Sequence, residues 1–221
     1  MIQVLYEDNH IIAVYKPAGT LVQGDKTGDR TLANEVATYL KKTYHKPGNV
    51  FVGVVHRLDR PVSGIVLFGK TSKGAARLSE QIRNRSIKKI YHALVIGVPK
   101  KKEDTLVHFL KKDSKKNSVR VFDKETPGAL RAELSYIVEH ADSQHAIVRI
   151  ALKTGRSHQI RTQFAAIGHP VVGDVKYGAP DPLSDQSLAL CATSVTFQRA
   201  TGAEEKTINI SIPDVWQDIH R

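Results

Sequence analysis

The sequence predicts an α+β fold: a mixed, mainly antiparallel sheet flanked by helices. Short stretches of apolar/polar alternation recur along the chain and are joined by hairpin-length turns. Only a few helical stripes interrupt them, without the regular strand–helix alternation that winds a parallel sheet. The 221 residues suffice for a sizeable core, and 41% hydrophobic with 25% charged residues is an ordinary globular balance. No Pro/Ser-rich linker and no internal repeat divides the chain, so residues 1–221 are expected to form a single domain.

In chain order, Ile2 to Tyr6 and His10 to Lys16 read as two strands around the turn-forming pair Asp8-Asn9. Pro17-Ala18-Gly19 breaks the second strand, and a loop with Gly24, Asp25 and Gly28 leads to Thr31. Thr31 is the expected N-cap of a helix whose apolar stripe is Leu32, Val36 and Leu40. Val50 to Arg57 and Gly64 to Gly69 read as buried strands flanking the loop Leu58 to Ser63. Ser72 is expected to cap a second helix that turns Leu78 and Ile82 to the core. A strand over Ile87 to Val98 precedes two basic clusters, Lys100-Lys101-Lys102 and Lys111, Lys112, Lys115 and Lys116, expected to be exposed and mobile. Arg131 to Glu139 and His145 to Leu152 alternate as half-buried strands, paired antiparallel across Ala141-Asp142-Ser143. Ser157 is expected to cap a third helix, stopped by Gly168 with Pro170 beyond it. Strands at Leu188 to Phe197 and Thr207 to Ile212 and a polar end around Trp216 complete the chain.

An excess of 33 Lys and Arg over 22 Asp and Glu gives a net charge of +11. This suits a polyanionic partner, although a solvated basic surface has the same composition. With Cys191 as its one cysteine, the chain has no internal disulfide framework and no Cys-rich zinc site. Met1 to Glu7 lacks a signal-peptide pattern, and no apolar run approaches the roughly 18 residues of a membrane span. These features predict a cytoplasmic protein with no membrane association.

Three segments can carry chemistry. His56-Arg57-Leu58-Asp59-Arg60-Pro61-Val62-Ser63-Gly64 sets one carboxylate in a turn among cations, either a poised anion or a loop aspartate in a surface ion pair with Arg57 or Arg60. Thr154-Gly155-Arg156-Ser157-His158-Gln159-Ile160-Arg161 puts His158 and Arg161 on one helical face and Ile160, Phe164 and Ile167 on the other. With Arg156 near the helix start, this segment suits a phosphate, and equally an amphipathic helix with a solvated basic face. In Ile87-Lys88-Lys89-Ile90-Tyr91-His92-Ala93-Leu94-Val95, Tyr91 lies on the strand face opposite Ile90 and Leu94, where a tyrosine is commonly a packing residue.

Taken together with Lys16-Pro17-Ala18-Gly19, Gly24-Asp25, Thr31-Leu32, Gly168-His169-Pro170, Gly173-Asp174 and Tyr177-Gly178, the order of these segments resembles the RluA family of pseudouridine synthases. The resemblance spans Ile2 to about Pro213. It implies a single catalytic domain with a central active-site cleft, acting without metal or cofactor. It also implies that Asp59 is the catalytic aspartate, Arg161 its salt-bridge partner and Tyr91 the aromatic residue against the target uracil. Arg57 would enter the space left by an extruded base, with Arg156, His158 and Lys89 as further RNA-binding residues. The implied partner is a structured RNA, ribosomal or transfer, met by a monomer.

The chain departs from the family pattern at Thr162-Gln163, where Val then His is usual, at Cys191, where His is frequent, and at Gln23-Gly24 in place of His and Pro. No N-terminal RNA-binding module is expected before Ile2. Two other classes compete: a catalytically silent RNA-binding or ribosome-associated protein of the same fold, and a metal-dependent nuclease using His158, His169, Asp174 and Asp59. No local spacing matches a known metal motif.

Overall fold

The computed structural model describes residues 2–25, 28–202, 204–214 and Trp216. The fold is α+β, and the chain divides into two compact units, cut after Lys88, Cys191 and Ile210.

The first unit opens with β1 (Gln3–Glu7) and β2 (Ile11–Lys16), an antiparallel hairpin. Its turn is made by Asp8, whose Oδ1 accepts the N–H groups of His10 and Ile11, both at 2.7 Å. This is the Asx geometry that suits Asp in turns. β2 pairs with β4 (Ser63–Gly69), which lies next to β10 (Leu190–Gln198), and β11 (Glu205–Asn209) pairs with β10. Helix α1 (Leu32–Thr43) starts at Thr31 as expected, with a capping box completed by Asn34, and Leu32, Val36 and Leu40 are all fully buried. Its first N–H groups also find backbone acceptors, Leu32 N–H on Leu21 O at 2.8 Å and Ala33 N–H on Val22 O at 3.1 Å. Helix α2 (Ser72–Arg83) and the strands enclose a core that includes Ile11, Ala13, Ile65, Leu67, Leu78 and Phe197.

Two expectations need correction here. The cap of α2 is Thr71, whose hydroxyl accepts the Gly74 N–H at 3.1 Å, so Ser72 is the first helical residue. The strand expected over Val50 to Arg57 shrinks to β3 (Gly53–Val54), paired with the end of β4. The imidazole of His56 takes over where that ladder stops, its Nε2 accepting the Leu67 N–H at 2.9 Å.

The second unit is an antiparallel meander in the order β5 (Lys88–Ile96), β9 (His145–Leu152), β8 (Leu130–Ala141), β6 (Glu103–Asp113) and β7 (Ser118–Phe122). β6 and β7 were not anticipated. Leu106, His108 and Leu110 alternate inward along β6, and Lys111 and Lys112 continue that strand, so the second basic cluster belongs to a paired hairpin. Helix α3 (Gln159–Ala166) stops at Gly168, whose φ of +83° is the left-handed geometry expected of it. Its start differs from expectation. Ser157 does not cap it; the N-cap is His158, itself left-handed at φ 52°. Gln159 closes this turn instead, its Oε1 accepting from Arg156 N–H at 3.0 Å and from the Thr154 hydroxyl at 2.7 Å. Nor is α3 amphipathic, since every residue from Gln159 to Phe164 is buried.

Gly64, directly opposite Lys16 in the β2–β4 ladder, combines φ +124° with a close approach to β10. A Cβ there would lie 2.4 Å from Ala192 N and 2.5 Å from Ala192 O. Gly64→Ala should therefore lower the unfolding free energy by roughly 3 kcal/mol, combining backbone strain with a clash that backbone atoms cannot relieve by rotating. Urea denaturation of the purified variant measures this, and a loss within experimental scatter would contradict the approach of β10 to β4.

Candidate active site

The loop that carries Asp59 runs from Val55 to Val62 and joins β3 to β4 in the first unit. It has little repeating backbone structure, so side chains and isolated bonds fix it. Leu58 and Val62 are buried, anchoring the loop on both sides of Asp59, which is half-buried. The Asp59 carbonyl accepts the Val62 N–H at 3.0 Å. Arg60 binds the preceding Pro-Ala-Gly turn in both directions: its Nε donates to Gly19 O at 2.9 Å, and its carbonyl accepts the Gly19 N–H at 2.8 Å. Its NH2 also meets Asp29 Oδ2 at 2.9 Å, a surface ion pair with the loop that leads into α1. Arg57 is exposed.

Lys16, the last residue of β2, is fully buried. Its ammonium donates to three carbonyl oxygens, Pro17 at 3.0 Å, Thr20 at 2.8 Å and Arg60 at 3.0 Å. One cation thereby gathers the 17–20 turn and the residue after Asp59. Burial pushes its pKa down to about 8, with Asp59 acting to raise it and Arg60 to lower it. The motif Lys16-Pro17-Ala18-Gly19 contains this lysine without revealing its task. The signal was there: a lysine that ends the strongly apolar run Ile11 to Tyr15 must find partners wherever the strand is buried.

The second unit holds Arg161, Tyr91, Arg156, His158 and Lys89. Arg161 is buried on α3 and makes a bidentate pair with buried Asp174, Nε to Oδ2 at 2.6 Å and NH2 to Oδ1 at 2.9 Å. Tyr177, in the single-turn 3-10 helix Val175–Tyr177, lies under the same guanidinium, 5.0 Å from its Cζ to the ring centroid. Its hydroxyl meets His158 Nδ1 at 2.6 Å. The structure thus brings His158 and Arg161 together on Tyr177, and it adds two residues, Asp174 and Tyr177, to which the sequence reading had assigned no such role. Asp174 lies thirteen positions after Arg161, so no local periodicity could pair them.

Tyr91 is buried on β5, opposite Ile150 of β9, and Lys89 shares its strand face. Burial lowers the Lys89 pKa. Arg156 is half-buried and its Nε donates to Arg131 O at 3.1 Å, so part of this guanidinium serves the β8 backbone. Gln163, where the family pattern has histidine, is buried and its Nε2 lies 3.2 Å from Leu106 O and 3.0 Å from His108 Nδ1. The groups invoked for a metal site are engaged elsewhere: both Asp174 oxygens by Arg161, and His169 Nδ1 by Ile96 O at 2.9 Å. Among the described residues, no three His, Cys, Asp or Glu side chains are grouped to hold an ion.

Residues 10–166 match the RNA pseudouridylate synthase family. This chain belongs to that family. An RNA pseudouridine synthase of Bacillus subtilis is 33% identical over 198 residues, covering 88% of this chain and 63% of that protein. A tRNA pseudouridine synthase C of Vibrio cholerae is 29% identical over 99% of this chain and 94% of its own length. A ribosomal large subunit pseudouridine synthase D of Pseudomonas aeruginosa is 33% identical over 85% of this chain and 58% of its own. The chain thus spans less than two thirds of some relatives and nearly all of another. Among solved structures, human RNA pseudouridylate synthase domain containing 4 superposes with a TM-score of 0.81 at 20% identity, over 97% of this chain and 90% of that one. At that identity the likeness establishes the pseudouridylate synthase fold.

Each unit holds a buried charge whose role can be tested. The folded Lys16 amine releases its proton near 8 and the unfolded one near 10.5, so between those values the unfolded chain binds more protons. Lys16 therefore weighs against folding most at neutral pH, and that penalty fades as pH rises from about 8 to about 10.5. The difference in unfolding free energy between wild type and Lys16→Met should shift across this window, in favour of wild type, by up to about 3 kcal/mol. A pH-independent difference would mean that the amine keeps its ordinary proton affinity.

Asp174→Ala removes the bidentate carboxylate from the buried Arg161 cation and should cost about 3–5 kcal/mol, most of which the double replacement Asp174→Leu with Arg161→Met should restore. Denaturant titration of the single and double variants measures both effects. Additive losses would show that the two side chains are not coupled.

Proposed function

We propose that this chain converts uridine to pseudouridine within a structured RNA, ribosomal or transfer, without metal or cofactor. The observation that carries the reading is the family match over residues 10–166, a span that includes Asp59, Tyr91 and Arg161. In the reaction the bond from uracil nitrogen to ribose breaks, the base turns, and a bond forms from ring carbon C5. The C5 proton leaves as the nitrogen gains one.

Asp59 supplies the carboxylate, acting as nucleophile toward sugar or base or as the acceptor of a ribose proton. Arg161 is its cationic partner through charge-assisted hydrogen bonds, and Tyr91 lies against the uracil. Reaching a base inside folded RNA requires extrusion, at a cost of a few kcal/mol. Arg57, exposed next to the Asp59 turn, is suited to occupy the vacated space. Arg156, His158 and Lys89 bind the surrounding RNA. The net charge of +11 supports such a partner, and a single buried cysteine outside any disulfide suits the reducing cytoplasm, where a monomer would meet its RNA. Among the described residues no helix is long and apolar enough to cross a membrane.

A pseudouridine map of total RNA from cells with and without the gene tests this. A site should vanish on deletion, return with the wild-type gene and fail to return with Asp59→Ala. Restoration by Asp59→Ala would remove this carboxylate from the chemistry, and an unchanged map would favour an RNA-binding protein without activity.

A further inference from the structure

We infer that Tyr177 is a positioning residue for Arg161 and joins it to the basic β6–β7 hairpin; this rests on the synthase reading, in which Arg161 partners the catalytic carboxylate. Asp174 and Tyr177 bracket one 3-10 turn, with the Tyr177 N–H on Asp174 O at 3.0 Å. The turn offers one guanidinium two different holds. The Asp174 carboxylate takes two N–H bonds at its edge, and the Tyr177 ring meets its face with Cζ 5.0 Å from the centroid. An edge contact alone leaves the guanidinium plane free to rock about the carboxylate; a ring on its face opposes that rotation.

The Tyr177 hydroxyl extends the hold to the backbone. At 2.6 Å from His158 Nδ1, it grips the N-cap residue of the helix that carries Arg161 one turn later. His158 is a non-glycine residue in the left-handed region with no side-chain capping bond, a conformation that survives only when its surroundings impose it. The same hydroxyl accepts the Val119 N–H of β7 at 2.9 Å. A second tie runs beside it, from Lys176 Nζ to Asn117 O at 2.7 Å. The hairpin so anchored exposes Lys111, Lys112, Lys115, Lys116 and Arg120, which suit the phosphodiester backbone of an RNA. Tyr177 itself is only half-buried, so its contacts and not core packing account for its placement.

The test uses Tyr177→Phe, which keeps the ring and removes the hydroxyl, and Tyr177→Leu, which removes both. Substrates are unmodified tRNA and large-subunit rRNA transcripts carrying tritium at uracil C5, with Asp59→Ala as the inactive control. The single-turnover rate of tritium release at saturating RNA should fall about 10-fold in Tyr177→Phe and about 100-fold in Tyr177→Leu, as misplaced catalytic groups do. For Tyr177→Phe, the Kd for the same transcript should stay at the wild-type value and the Tm should fall by only a few degrees, about what the loss of two hydrogen bonds at a half-buried site costs. A wild-type rate in Tyr177→Phe overturns the inference, and so does a rate loss accompanied by matching changes in Kd and Tm, which marks a merely structural residue. If the wild-type chain releases no tritium from either RNA, the synthase reading falls and takes this inference with it.

Discussion

A lysine without solvent governs the first unit. Stripping water from an ammonium is expensive, and the Lys16 charge is tolerable only because three carbonyl groups replace the lost hydration. Those carbonyls come from segments distant in sequence, Pro17 and Thr20 on one side and Arg60 on the other, so satisfying one buried cation fixes the relative position of two loops. The bonds of Arg60 to Gly19 close the same seam from the surface. Asp59 sits between a buried leucine and this seam, and its backbone has little freedom left. Gly64 belongs to the same constraint: opposite Lys16 the sheet leaves no space for a side chain.

The second unit reaches rigidity by pairing charge with charge. A buried Arg–carboxylate pair gives little net stability, since desolvating both ions consumes most of what their attraction returns. It does give direction. A bidentate fork fixes the edge of the guanidinium, and the ring of Tyr177 against its face holds the plane. Helix α3 is buried on every side from Gln159 to Phe164, unlike a surface helix with one apolar stripe. Its polar residues face protein groups, as Gln159 does with Glu133 O and Gln163 with Leu106 O. Sites supported in this way hold geometry better than sites on loose loops.

What could be read from the sequence was local. Thr31 caps α1 because a hydroxyl, a helix start and an apolar stripe sit within a few residues, and all three are visible in the letters. Gly168 stops α3 for the same reason. The cap of α2 slipped by one position because Thr71 and Ser72 are equivalent as letters, and only the backbone torsions choose between them. Hairpin β6–β7 stayed hidden because its lysines blur the alternation that Leu106, His108 and Leu110 set up. His158 could not be recognised as an N-cap, since its left-handed torsion follows no local rule and its ring is held by Tyr177, nineteen positions along the chain. The family resemblance named Asp59, Tyr91 and Arg161 as a set. Their supports, Lys16 and Asp174, required distances that no spacing rule supplies.

The net charge of +11 likewise conceals two kinds of cation that do opposite work. Lys16 and Arg161 are buried, matched group for group, and silent toward a distant ligand. The hairpin cations are exposed, and their arrangement works against the bare protein: Lys111 and Arg120 stand directly opposite each other in the β6–β7 ladder. Like charges at such a position destabilise a sheet by a few tenths of a kcal/mol to about 1 kcal/mol. Solvent screens part of that repulsion, and a phosphate backbone laid along the hairpin would reverse its sign. The fold thus keeps its fixed charges inside, where they set geometry, and leaves its unfavourable ones outside, where an anionic partner would relieve them.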